Sequence, residues 1–190
     1  MENGACLLRV EELSAGYTRP VVGPISFSVD RGEVISVRGP NGSGKSTLLN
    51  ALVGGAYIFS GAVHRRPGLR ISHQQQAALQ LDNVPLSGRE LLALTGADAR
   101  ELPDWIAPLV GKRLDRLSGG QLQFMQVWAC LKAPVDVVLL DEPTNNVDPE
   151  GVQHLQIQIA AMKPTHAILV ISHDRAFLDG ISTRTIDLGS

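Results

Sequence analysis

Nine residues, Gly39-Pro40-Asn41-Gly42-Ser43-Gly44-Lys45-Ser46-Thr47, constrain this chain more than any other stretch. They fit the spacing G-x-x-x-x-G-K-[ST], with an apolar run closing at Val37 before them and Leu48, Leu49, Ala51, Leu52 and Val53 at helical spacing behind them. A strand, a glycine-rich loop and a helix in that order make a cradle for phosphate. Glycines let the backbone wrap closely and turn N–H groups inward, and the helix N-terminus adds the positive end of its dipole. The pattern puts an ammonium at Lys45 for the β- and γ-phosphates and a hydroxyl at Ser46 for Mg2+. A purely structural turn has no use for that Lys-Ser pair.

A second signal stands where Val137-Val138-Leu139-Leu140 runs into Asp141-Glu142-Pro143. Two adjacent carboxylates at a strand end are costly to bury unpaired, so something cationic or protic should meet them. Mg2+ and water answer that need, with Asp141 on the metal side and Glu142 polarising the water that attacks the γ-phosphate. The surrounding pattern is α/β. Leu7–Val10, Ile25–Val29 and Glu33–Val37 read as strands, with Gly23-Pro24 and Arg31-Gly32 as turns. Residues 75–131 hold Pro85, Pro103 and Pro108 between short helical runs such as Gly88–Leu94, as an inserted helical lobe would. Beyond it, the apolar runs Val135–Leu140 and His166–Ile171 flank a helix from about Pro149 to Met162. Near-continuous apolar strands of this kind belong in a parallel sheet covered on both faces. One domain over residues 1–190, with its helical subdomain at about 75–131, is the expected organisation.

The class is carried by Leu117-Ser118-Gly119-Gly120-Gln121, which resembles the signature motif of the ATP-binding-cassette family. The resemblance covers nearly the whole chain. It implies a P-loop NTPase core, with a parallel sheet flanked by helices, an N-terminal antiparallel β subdomain and the helical lobe. It implies that Ser118, Gly119 and Gly120 open a helix aimed at the γ-phosphate held by a different subunit, and Ser is indeed a good N-cap. Tyr17 sits where the family has an aromatic that stacks on adenine. Gln74, just beyond the strand that ends in the run Leu69–His73, matches the glutamine whose loop joins the core to the helical lobe and reaches Mg2+ and the attacking water, although Gln75 and Gln76 blur its register. Asn145-Asn146-Val147-Asp148 resembles the D-loop that meets the partner subunit, with Asp148 its fixed acid. Ser172-His173-Asp174 resembles the switch-histidine motif, with His173 contacting the γ-phosphate and holding Glu142 and water. His64, His73, His154 and His166 read as surface or capping residues. The family implies ATP and Mg2+, a second nucleotide-binding subunit so that a homodimer closes on two ATP, and a membrane permease subunit as partner.

Some positions depart from the family pattern. Phe124 and Ala129 stand where arginines are usual, leaving a helix unusually apolar and expected to be buried in the core. Ile71-Ser72-His73-Gln74 replaces the usual Tyr-x-Pro-Gln. Asp82-Asn83-Val84-Pro85-Leu86-Ser87 resembles importers of zinc, manganese or related metal ions. Against that, Asp141–Asp148 and Ser172–Asp179 resemble the branch of cassette ATPases that acts on ribosomes, whose members carry two cassettes and a charged linker. One cassette fills this chain, so an ATPase driving transport is the favoured reading and a soluble, ribosome-acting ATPase the alternative. The net charge of −2, from 17 Lys and Arg against 19 Asp and Glu, gives no basic face for nucleic acid. No stretch approaches the roughly 20 apolar residues of a membrane helix. The expected place is therefore cytoplasmic, peripheral on the inner face of the cell membrane through the permease. Cys6 and Cys130 match no metal spacing and read as buried free thiols. The end soon after Ile186-Asp187-Leu188 predicts no C-terminal regulatory domain.

Overall fold

Alternating apolar positions form β1 (Cys6–Gly16) in the computed structural model, which describes residues 6–75 and 86–189. This strand buries Leu8, Val10 and Leu13 and pairs antiparallel with β2 (Pro20–Asp30) on one side and β4 (Tyr57–Arg65) on the other. Gly23-Pro24, expected as a turn, lies instead inside β2. The strand absorbs it at a register irregularity between the pairs Leu13↔Ile25 and Ala15↔Val22. β2 is an edge strand, where a bulge and a proline without an N–H are tolerated. Arg31-Gly32 does turn the chain, into β3 (Val34–Arg38).

The second sheet is parallel throughout. Its strands β5 (Ile71–Gln74), β6 (Val137–Asp141), β7 (Ala167–Ile171), β3 and β8 (Arg184–Asp187) lie in that order. Every position of β6 and β7 is buried, as strands covered on both faces must be. Both begin later than expected, since Val135 and His166 lie in the preceding turns. Their side chains divide by alternation. Val137, Leu139, Leu169 and Ile171 pack with α1 (Lys45–Leu52) and the antiparallel sheet. Val138, Leu140, Ile168 and Val170 pack with α3 (Gly119–Leu131), α4 (Pro149–Met162) and α5 (Arg175–Ile181). The carboxyl ends of β3, β5, β6 and β7 thus share one edge, the place where open α/β sheets bind ligands.

Between β5 and β6 the described residues form α2 (Gly88–Thr95), three short 3-10 turns and α3. Ser87 and Glu90 close a capping box on α2, and Gly96 ends it in a left-handed conformation. Gln76 and Asp82–Pro85, two stretches singled out in the sequence, lie outside the described residues. The apolar character of α3 has a structural cause: Phe124 through Ala129 are all buried. The Phe124 ring stacks on Trp128 at 5.4 Å between centroids and meets Trp105 edge-on at 4.8 Å. An arginine at 124 would be enclosed among these rings. Both cysteines are free but half-buried rather than enclosed. Burial pushes the Cys130 thiol up to about 11, and burial followed by the Asp30 charge raises that of Cys6.

Phe124→Ala should cost about 3–5 kcal/mol in urea unfolding, the range for a large buried aromatic. Phe124→Arg should cost at least as much, because it buries a charge without a partner. An arginine variant as stable as the parent would show that this helix is not a core element.

Candidate functional site

The loop between β3 and α1 is shaped by close backbone approach. Gly44 caps α1 with φ +90°, and a side chain there would lie 2.7 Å from Val22 Cβ and 3.1 Å from the Val21 carbonyl oxygen. Only glycine fits both restrictions. No side chain caps α1 and its first turn carries no acid, so its leading N–H groups and dipole are left for an anion. Lys45 Nζ donates to the carbonyls of Gly39, at 2.9 Å, and Pro40, at 3.0 Å, folding the ammonium over its own loop. Ser43 Oγ is buried with no partner.

Facing the loop are the two acids at the end of β6, Asp141 at 3% exposure and Glu142 at 4%. Burial pushes the Asp141 carboxyl above its ordinary range, opposed by the Ser46 hydroxyl, His73 and the Lys45 ammonium. Its Oδ1 atom is buried without a hydrogen-bond partner. Glu142 is held at several points in a left-handed backbone conformation, φ +52°. Its N–H donates to Ile171 O at 2.9 Å, and its carbonyl accepts from Gln123 Nε2 at 3.1 Å and from the Asn145 N–H at 3.3 Å. The carboxylate accepts the His173 N–H at 3.2 Å on Oε2, and Oε1 lies 3.3 Å from His173 Nε2. The His173 side chain is 67% exposed, so its other faces are open to solvent.

Asn41, Lys45, Ser46, Asp141, Glu142 and His173 line one cleft of about 420 Å³, together with Gly42, Gly44 and Thr47. A second cleft, about 640 Å³, shares Glu142 and His173 and runs along Asn145, Asn146 and Val147. The first suits a polyphosphate carrying a hard divalent cation. It offers the hydroxyls of Ser46 and Thr47 and one unpartnered carboxylate oxygen on Asp141, and no group of three or more His, Cys, Asp or Glu forms a metal cage among the described residues. An ion there must complete its shell with phosphate and water oxygens, which is how Mg2+ is commonly held.

The other expected residues surround this cleft without lining it. Gln74 is the last residue of β5, not the first beyond the strand, and is 4% exposed. Its Oε1 accepts the Asp141 N–H at 3.3 Å and its Nε2 donates to Gln75 O at 2.7 Å. Tyr17 follows β1 at 47% exposure, its hydroxyl accepting from Asn50 Nδ2 at 2.8 Å. Ser118 N-caps α3 in a reciprocal box with Gln121, Ser118 and Gly119 are exposed, and Leu117 is half-buried. Gly120 packs against the Asn146 carbonyl, where a Cβ would stand 2.2 Å from the oxygen. Asp148 N-caps α4, accepting the Gly151 N–H at 2.6 Å. His64 meets Glu11, His154 is half-buried on α4, and His166 Nδ1 lies near the Met162 carbonyl that closes the helix. His73 departs from the surface or capping expectation. Both its ring nitrogens are buried on β5 without a partner, and burial lowers its pKa. Neither its burial nor the Gln123 bond to Glu142 leaves a local sequence signal, because the first depends on β5 pairing beside β6 and the second on how α3 docks.

Residues 22–145, which hold the loop, Ser118–Gln121 and both acids, match the family model described as ABC transporter. A zinc import ATP-binding protein ZnuC from Jannaschia sp. (strain CCS1) is 35% identical, over 96% of this chain and 79% of the relative. Among solved structures, one described as an ATP binding subunit of an ABC transporter superposes with a TM-score of 0.83 at 24% identity, covering 96% of this chain and 86% of the other. An archaeal ribosome recycling factor, solved with a ribosomal stalk protein, gives 0.81 at 24% identity, over 98% of this chain and 38% of that one. These two likenesses show the shared fold. The family model and the sequence relative go further: the chain belongs to the ABC transporter family, as one of its ATP-hydrolysing ATP-binding subunits.

Proposed function

We propose that this chain works as one half of a homodimer that closes on two ATP molecules and drives a membrane permease. The observation that carries this reading is a division within one chain. Lys45, Ser46, Asp141, Glu142 and His173 meet in one cleft, while Ser118 and Gly119 sit exposed and line neither that cleft nor the one beside it. A second copy in head-to-tail orientation would complete both sites at one symmetric interface.

In this reading the β- and γ-phosphates take the N–H groups of the loop from Gly39 through Thr47, with Pro40, Asn41, Gly42, Ser43 and Gly44 shaping the wrap. Lys45 exchanges its bonds to Gly39 O and Pro40 O for phosphate oxygens. Ser46 and Asp141 would hold Mg2+, joined by Gln74 once its carboxamide oxygen leaves the Asp141 N–H, and the ion would supply neutralising charge on the phosphates. Glu142 accepts a proton from the attacking water as the new P–O bond forms and the bridging P–O bond breaks. His173, already 3.3 Å from Glu142 Oε1, fixes that carboxylate. Tyr17 provides a face for adenine. Leu117–Gln121 meet the partner's γ-phosphate, and Asp148 holds the D-loop that meets the partner chain. Loss of phosphate removes charge from the interface and opens it. Residues 75–131 act as the helical lobe beside which the permease docks. No helix among the described residues is long and apolar enough to cross a membrane, and the subunit lies on the inner face through its permease. The zinc import named for the sequence relative supports zinc as cargo.

Glu142→Gln should bind nucleotide and stall, so light scattering should find a dimer with Mg·ATP and a monomer without it; a chain that binds ATP yet stays monomeric would sink closure on two ATP. Asp141 gives a linked test of stability. Its carboxyl is raised by burial, so its charge costs stability in the nucleotide-free chain. That cost is absent below the unfolded carboxyl pKa of about 3.9 and complete once pH exceeds the raised folded value. Asp141→Asn should therefore raise the nucleotide-free melting midpoint at pH 7.5, lose that advantage near pH 4, and lose the further rise that Mg·ATP gives the parent. For the cargo, cells carrying only Glu142→Gln should stop growing under chelation and recover with added zinc; recovery with manganese alone would overturn the zinc assignment.

A further inference from the structure

We propose that Gln123 is a positioning residue for Glu142, carrying the position of α3 to the backbone of the hydrolytic acid. This rests on the reading of Glu142 given above and extends it to a residue outside the cleft. Gln123 Nε2 donates to the Glu142 carbonyl at 3.1 Å in a partly buried contact. The peptide it holds is an unusual one. Glu142 has φ +52°, a conformation that a branched-off carboxylate side chain keeps only where its surroundings fix it. Of those fixing contacts, Ile171 O and the His173 N–H come from the end of β7, and the Asn145 N–H comes from the turn itself. Gln123 supplies the hold from the helical segment between β5 and β6.

The packing around this bond makes it a mechanical link. Gly120 leaves no space for a side chain, since a Cβ would stand 2.2 Å from Asn146 O. Gly151 is equally tight, with Val147 Cγ1 at 2.6 Å and Phe124 Cδ2 at 3.3 Å from an added Cβ. The first two turns of α3 therefore seat directly on the stretch from Glu142 to Gly151. The exposed N-terminus of the same helix is capped by Ser118, five positions before Gln123. A displacement of α3 when that end meets the partner's nucleotide would be felt at the Glu142 peptide, and would turn its carboxylate relative to the chain's own bound nucleotide. Occupancy of one site would then set the alignment of the acid in the other.

The test compares Gln123→Leu, which keeps bulk and removes the donor, with Gln123→Lys, which keeps a donor. Hydrogen exchange of the nucleotide-free chain should show the peptide spanning residues 141–146 exchanging faster in the leucine variant, with the rest of the chain unchanged. Turnover of ATP should fall by about 10–100-fold, the cost of misplacing a catalytic group by roughly an ångström. Affinity for a fluorescent ATP analogue should stay within about twofold, since ground-state binding is untouched. The lysine variant should recover part of the rate. In a Glu142→Gln background the leucine change should leave residual hydrolysis where it was. Unchanged exchange at 141–146, or faster exchange with undiminished turnover, would overturn the proposal. So would faster exchange throughout the helical segment together with lost ATP affinity, which would make Gln123 a folding residue. A parent chain that binds ATP but never hydrolyses it would count against the reading of Glu142, while exchange at 141–146 would still decide whether Gln123 holds its peptide.

Discussion

Two carboxylates leave the end of a fully buried strand, and the rest of the site is arranged around the cost of keeping them there. Asp141 and Glu142 stand at the end of β6, which β5 and β7 pair on both sides, and both are nearly enclosed. Their fates divide at the backbone. The left-handed turn at Glu142 swings its carboxylate toward the end of β7, where the His173 N–H and ring receive it. Asp141 stays toward α1, with one oxygen unpartnered and its carboxyl raised by burial. One acid is thus satisfied by the protein, and the other keeps an oxygen free for a ligand.

Strand order then does the positioning. β7 lies between β6 and β3, so the phosphate loop and the acids stand on opposite sides of one buried strand whose end carries Ser172 and His173. Helix α1 leaves the loop with no acid in its first turn and packs Leu48, Leu49 and Leu52 on the same face of the sheet as Ile171 and Leu139. The core that fixes the helix is the core that fixes the acids. The spacing between Lys45 and Asp141 therefore rests on apolar packing, with no direct bond between the two side chains required.

What could be read in the sequence follows the range of the interaction. The phosphate loop was legible because phosphate binding demands certain residue types at fixed offsets, and α4 because Asp148 and Pro149 are local start signals that the structure uses as cap and first turn. β4 was not marked as a strand, since five of its first residues, Tyr57–Gly61, face solvent and give no alternation to detect. Gly23-Pro24 misled because a bulge in an edge strand looks locally like a turn. His73 was misplaced because its burial depends on β5 pairing beside the fully buried β6, with His73 opposite Leu139, which no neighbouring residue announces. Gln74 was assigned to the loop after the strand, but the parallel pairing Gln74↔Leu140 carries β5 one residue further and draws its carboxamide onto the Asp141 N–H.

The same distinction explains why α3 can lack the family's arginines and still present its cap. Its inner face is fixed by Phe124, Trp128 and Trp105, which need no charge to hold register. Its outer end is fixed by the Ser118–Gln121 box, in which the Ser118 hydroxyl accepts the Gln121 N–H at 3.3 Å and Gln121 Oε1 accepts the Ser118 N–H at 3.1 Å. Both N–H groups are already committed within the chain. An anion arriving at this end is therefore left with the Ser118 hydroxyl proton and the N–H groups of Gly119 and Gly120, at the positive end of a 13-residue helix. A small, neutral cap of this kind attracts a phosphate only weakly unless the phosphate is also held from another side.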